Sequence, residues 1–205
     1  MKKTIWQPLA LGAVLGLLAG ITTVTDLSFL IIDFVENVNT IGFFVTLFLL
    51  AAALGGPLAG AIASSLWVVI SALYGPPEVK AVITIPEVFW SNLLAIGTTL
   101  ALVGVAYRLI FERVKSLFRL LLWAGIVITF YLIALPASLV TQYLLLQNPV
   151  SEFLPAIRNA YTTYIPQAIF DIFFTSLALI ALPRRYRRPV WYEVQPAAPP
   201  AQDKA

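Results

Sequence analysis

Near the middle of the last apolar stretch of the chain stands a carboxylate, Asp171. Tyr164, Gln167, Asp171 and Thr175 recur at three-to-four-residue spacing, which sets all four on one face of a helix. An acid that deep in a membrane span is costly, so it must face protein or a cavity and must have a partner. Two roles fit it: contact with a bound solute, or a protonated or hydrogen-bonded acid that holds helices together. Asn92 and Gln142 are further amides within apolar stretches, at a depth similar to or shallower than that of Gln167. Trp90 lies beside Asn92, and Glu36 lies in an acidic segment that precedes the second apolar stretch. The residues expected to touch a solute are therefore Asp171, Gln167, Tyr164, Asn92, Trp90 and Glu36. Rings crowd the same side, among them Phe34, Phe43, Phe44, Tyr74, Phe89, Tyr143 and Tyr161. Such rings form the interfacial belt of a membrane protein. Combined with nearby acids, they would also suit a flat, cationic ligand.

Other chemistry is excluded by residue type. The chain has no cysteine and no histidine, which removes thiolate chemistry, disulfides, the commonest metal ligand and the usual general base near neutral pH. Neither a phosphate-binding G-x-x-x-x-G-K-[ST] loop nor a G-x-G-x-x-G turn occurs. No nucleophile stands with a base, and no metal set is evident. A binding protein is expected, not an enzyme, with no metal and no cofactor. The net charge of +3 needs no nucleic-acid partner, because its placement accounts for it.

The elements that must position these residues are membrane helices. Hydrophobic residues make up 60% of the 205 and charged residues 11%, where a soluble domain carries about 25% charged. The expected fold is all-α: a polytopic membrane bundle of six transmembrane helices over residues 1–189, followed by a disordered Pro/Ala-rich tail over 190–205. The spans are expected at about 6–24, 41–54, 58–74, 87–110, 120–146 and 161–182. Residues 26–40 read as a partly helical loop at the membrane surface. Gly55-Gly56-Pro57 turns the chain between the second and third spans, since nothing hydrophilic separates them. Pro136 is expected to kink the fifth span. With the amino terminus inside, every one of the 13 Lys and Arg residues except Lys80 and Arg158 falls on the inner side. That asymmetry fits the positive-inside rule with both termini cytoplasmic, in the inner (cytoplasmic) membrane. Lys2 and Lys3 before an apolar run also have the shape of a signal peptide, but no small-x-small cleavage site follows.

In the first span Gly12, Gly16 and Gly20 recur every four residues, with Ala13 and Ala19 beside them. This small face permits close helix approach. It can serve packing within the chain or docking of a second membrane protein.

Residues 43–74, FFVTLFLLAAALGGPLAGAIASSLWVVISALY, resemble the second and third helices of the substrate-binding S components of energy-coupling-factor (ECF) vitamin transporters. In that family an apolar helix ends in a Gly-Pro turn and the next opens with small residues. The resemblance implies six helices with cytoplasmic termini and a ligand near the outer face under extracellular loops. It also implies a small face on the first helix that docks a transmembrane coupling subunit, here Gly12, Ala13, Gly16 and Gly20. Energy then comes from separate ATPases. Ser64-Ser65-Leu66-Trp67 stands where the family's third helix commonly reaches an acid, and the cobalt and nickel branch relies on a histidine that this chain lacks. The function expected is membrane-embedded binding of a small, vitamin-like solute for uptake. Gly-Gly-Pro-x-x-Gly also resembles the five-helix membrane sensor domain of bacterial autolysin-regulating histidine kinases. A sensor module, or a structural membrane protein without ligand, are therefore the alternatives.

Overall fold

At Gly56 the chain turns back on itself. The computed structural model describes residues 5–25, 30–33, 38–114, 116–145, 151 and 153–183. Glu36 and the tail 190–205 lie outside the described residues, as does most of the loop expected over 26–40. The helix Phe43–Tyr74 (α2) contains Gly56 at φ 78°, ψ −168°, a conformation essentially confined to glycine. Phe44 and Trp67 stack with ring centroids 5.3 Å apart, although a straight helix would hold them about 35 Å apart. A Cβ built on Gly60 would lie 2.8 Å from the Ala52 Cβ. The two arms of α2, residues 43–55 and 57–74, therefore run antiparallel. The glycine turn acts as the sequence reading expects. The first arm is only about 20 Å long at 1.5 Å per residue.

The helix Trp6–Val24 (α1) packs along the second arm. A Cβ on Gly12 would come 2.8 Å from the Ala59 Cα, one on Gly16 2.8 Å from the Ala63 Cα, and one on Gly20 2.7 Å from Ile70 Cδ1. The partner positions rise together, so the two helices are parallel. The small face offered to a separate coupling subunit is thus filled by the chain's own second arm. Gly12, Gly16 and Gly20 are buried there, and Ala13 is half-buried at its edge.

Between α1 and α2 the described residues form an antiparallel hairpin, Leu30–Asp33 (β1) with Val38–Ile41 (β2), in register Leu30↔Ile41 to Asp33↔Val38. This corrects the expectation of partial helix: Ile31, Ile32, Val38 and Ile41 are β-branched residues, which suit extended backbone. Short helices Pro77–Ile83 (α3) and Pro86–Ser91 (α4) follow α2. A π-helical turn, Asn92–Ile96, then leads into Gly97–Arg113 (α5). The helix α5 packs antiparallel to the second arm of α2. Cβ atoms on Gly60 and Gly104 would meet Leu100 O at 3.2 Å and Pro57 N at 2.6 Å respectively. Gly104 is thereby the residue that lets the Gly56 turn nest inside the bundle.

The last two helices, Ser116–Leu145 (α6) and Phe153–Ala181 (α7), complete the all-α assembly. Each starts earlier than the span expected from hydropathy, because helix continues past the apolar stretch into polar residues. Trp123 of α6, fully buried, meets Tyr107 of α5 edge-on at 5.2 Å. Among the described residues five helices are long and apolar enough to cross a membrane: Trp6–Val24, Phe43–Tyr74, Pro86–Phe111, Phe118–Ser138 and Tyr164–Ala181. The expected six spans differ from these five at α2, which is one helical element folded in two.

Candidate functional site

The first arm of α2 starts badly capped. Its N-cap is Gly42, in extended conformation, with no side-chain cap and no acidic residue in the first turn. The first N–H groups of a helix have no partner within it, and hydrocarbon offers no water to replace one. The missing partners come from α7. Gly42 N donates to Gln167 Oε1 at 2.9 Å, and Gln167 Nε2 donates back to Gly42 O at 2.9 Å. Thr46 Oγ1 donates to Asp171 Oδ1 at 2.5 Å, and the Thr46 backbone N–H donates to the same carboxylate.

Asp171 Oδ2 accepts from Gln167 Nε2 at 3.0 Å and from the Tyr131 hydroxyl of α6. Among the described residues the partners of the Asp171 side chain are thus Thr46, Tyr131 and Gln167, and none of these is basic. Its charge faces the positive end of the first arm, where a helix macrodipole favours an anion. Asp171 is fully buried and Gln167 is 3% exposed. One turn further on, Thr175 Oγ1 donates to Asp171 O at 2.5 Å and accepts from Trp123 Nε1 at 2.8 Å. Phe43 closes the apolar side, edge-on to Phe170 and Phe174 at 5.0 and 5.1 Å. Asp171 therefore serves as an N-cap supplied from another helix. Every polar atom of the cluster is engaged.

A second polar group lies apart from this one. Asn92 opens the π-turn, and Ser138 Oγ of α6 donates to Asn92 Oδ1 at 3.4 Å. π-turns inside α-helices occur often at functional sites, because the extra residue re-aims the side chains around it. Ser71 belongs to the same region. Its hydroxyl is buried and has no hydrogen-bond partner among the described residues. Gly60 and Ser71, eleven positions apart, share a helix face. The antiparallel register that pairs Gly60 with Leu100 and Ser64 with Gly97 sets Ser71 level with Trp90 and Ser91.

The expected site residues thus separate. Gln167 and Asp171 meet each other inside the bundle. Tyr164, more than a third exposed, holds its ring 6.3 Å from that of Tyr131. Asn92 joins Ser138 instead of Asp171. Trp90 is 54% exposed and touches Phe89 edge-on at 5.5 Å. Glu36 and the side chain of Gln142 are outside the described residues. Among the described residues no group of three acidic side chains could hold a metal ion. Thr46, Tyr131, Ser71 and Ser138 were not among the expected site residues. Thr46 carried a signal, as the lone hydroxyl in the run Phe43–Leu54, and so did Tyr131, a phenol far from either end of an apolar helix. Comparison with protein-family models, with curated proteins and with solved structures returns no match.

Proposed function

We propose that this chain is the solute-binding membrane subunit of an uptake system, working with a separate coupling protein and ATPases. In this reading both arms of α2 count as spans, which gives six, with both termini cytoplasmic in the inner membrane. The distribution of Lys and Arg supports that orientation. The solute is small, organic and vitamin-like.

The observation that carries the reading is the polar group at the π-turn. Among the described residues Asn92 makes one long hydrogen bond, and the buried Ser71 hydroxyl, level with the preceding Trp90 and Ser91, makes none. Buried polar atoms are normally paired, so an unpaired one on the arm that packs on the π-turn of an under-used amide is where a ligand's polar atoms would be welcome. Asn92, Ser71 and Ser138 supply the polar contacts, and Trp90, two residues before Asn92, supplies a ring. Asp171 and Gln167 hold α7 to the first arm of α2. The coupling subunit docks away from Gly12, Gly16 and Gly20, which the second arm of α2 covers. Ala13, with the exposed Val14, Leu17 and Leu18, borders the open side of α1.

Affinity purification of the full chain from its native membranes in mild detergent tests the proposal. A transmembrane coupling protein and ATPases should accompany it in fixed stoichiometry. Recovery of the chain alone would contradict the proposal. It would favour a structural membrane protein without ligand, the reading that the fully satisfied Asp171 cluster supports by itself.

A further inference from the structure

Asp171 is a buried titratable group for which solute binding has no use. Its surroundings are of two kinds. Gln167 Nε2, whose Oε1 is taken by Gly42 N, and the Thr46 backbone N–H can only donate to it. The hydroxyls of Thr46 and Tyr131 donate now, yet each can reverse and accept. A carboxylate satisfies all four donors. A neutral carboxylic acid must donate its own proton, and only the two hydroxyls can receive it. The site is therefore built to hold the acid in either state, but with different partners in each.

The partners lost on protonation are the ones that matter for the fold. Gln167 Nε2 is shared between Asp171 Oδ2 and Gly42 O, so the two bonds are coupled through one amide. The first arm of α2 is fixed to α7 by the pairs Thr46–Asp171 and Gly42–Gln167, together with the ring contacts of Phe43. Removing the negative charge removes the anion that the arm's N-terminus faces. The titratable groups that face Asp171 among the described residues are Tyr131 from α6 and Tyr164 from α7. The first arm of α2 (FFVTLFLLAAALG) and β2 (VNTI) contribute none. Tyr164 stands at the end of the candidate span Tyr164–Ala181 and lies beside Tyr131, so these two phenols mark the route from the end of the span to the acid.

We infer that Asp171 is a proton-binding site reached past Tyr164 and Tyr131, and that proton uptake releases the first arm of α2 from α7. The linkage has a definite sign. The fixed state prefers the carboxylate and the released state prefers the neutral acid, so falling pH drives release. This concerns the cluster alone and does not rest on the solute reading.

The test is a pH titration of the full-length protein in lipid nanodiscs without added solute. Infrared difference spectroscopy should show the high-frequency C=O stretch of one buried carboxylic acid growing in on acidification. Asp171→Asn should abolish that band. The chain has no cysteine, so spin labels on cysteines introduced at the half-buried Leu47 of the first arm and at the exposed Leu154 of α7 report the distance between these two elements. That distance should change with the same midpoint as the band. Tyr131→Phe removes one donor while keeping the ring. It should move both midpoints together to higher pH, by about one unit if the lost hydrogen bond is worth about 1.4 kcal/mol. The Tyr131→Phe shift stands as a test even where Asp171→Asn folds poorly. A band that never appears while the protein stays folded, a band that persists in Asp171→Asn, or a distance that ignores the band would overturn the inference.

Discussion

Thr46 and Asp171 stand 125 residues apart in the sequence, yet the Thr46 hydroxyl lies 2.5 Å from the Asp171 carboxylate. The contact solves a specific problem. A helix that begins at a glycine N-cap inside apolar surroundings needs acceptors from elsewhere, and α7 supplies them. Asp171→Leu keeps volume near the site but leaves the Thr46 N–H, the Tyr131 hydroxyl and the Gln167 amide short of an acceptor. It should lower stability by about 1–3 kcal/mol for each buried donor left unpaired. Thr46→Val removes a single bond and should cost about 0.5–1.5 kcal/mol, in line with hydrogen bonds in membrane bundles. Unfolding of the detergent-solubilised protein in mixed micelles measures both.

Gly56 sets a second expectation. With φ 78° and ψ −168° it occupies backbone space that a Cβ makes costly, so Gly56→Ala should destabilise by about 1–3 kcal/mol. Gly55, one position earlier, has no such backbone angle among the described residues, but it is buried against Leu11 and Ala59. A cysteine pair at Phe44 and Trp67 should crosslink with a short reagent, since these rings stack at 5.3 Å. Failure to crosslink would mean that α2 is straight.

The glycines of α1 separate internal packing from docking. Gly16→Val places a Cβ 2.8 Å from the Ala63 Cα, against backbone that cannot step aside. It should cost about 1–3 kcal/mol in the isolated chain, with no other protein present. If the face served only a second protein, the purified chain would be unaffected and complex formation alone would suffer.

How much of this was legible beforehand follows from the kind of signal each part leaves. Long apolar runs and Gly-Gly-Pro announce helices and a turn, and both are present. The interior position of Asp171 was legible from its distance to the ends of its span and from the spacing of Tyr164, Gln167 and Thr175. Its partners were not, because Thr46 and Tyr131 reach it across long sequence separations that no local pattern encodes. The glycine face of α1 was legible as a contact surface. Its occupant, Ala59 to Ile70, depends on the direction in which α2 folds back. The π-turn at Asn92–Ile96 leaves no mark in composition, since Asn-Leu-Leu-Ala-Ile reads as ordinary helix.

The solute reading makes Asn92 decisive. Asn92→Ala should leave stability within about 1 kcal/mol, because the bond to Ser138 is long and half-buried, yet it should weaken solute retention at least tenfold. Ser71→Ala should be neutral or slightly stabilising to the empty protein, since it removes an unpaired buried hydroxyl.

Native mass spectrometry of the protein released from its own membranes tests the central claim most directly. The proposal predicts one small organic molecule bound per chain in the wild type and its loss in Asn92→Ala at equal expression. A wild-type chain that carries no small molecule, or one that Asn92→Ala retains unchanged, would contradict it.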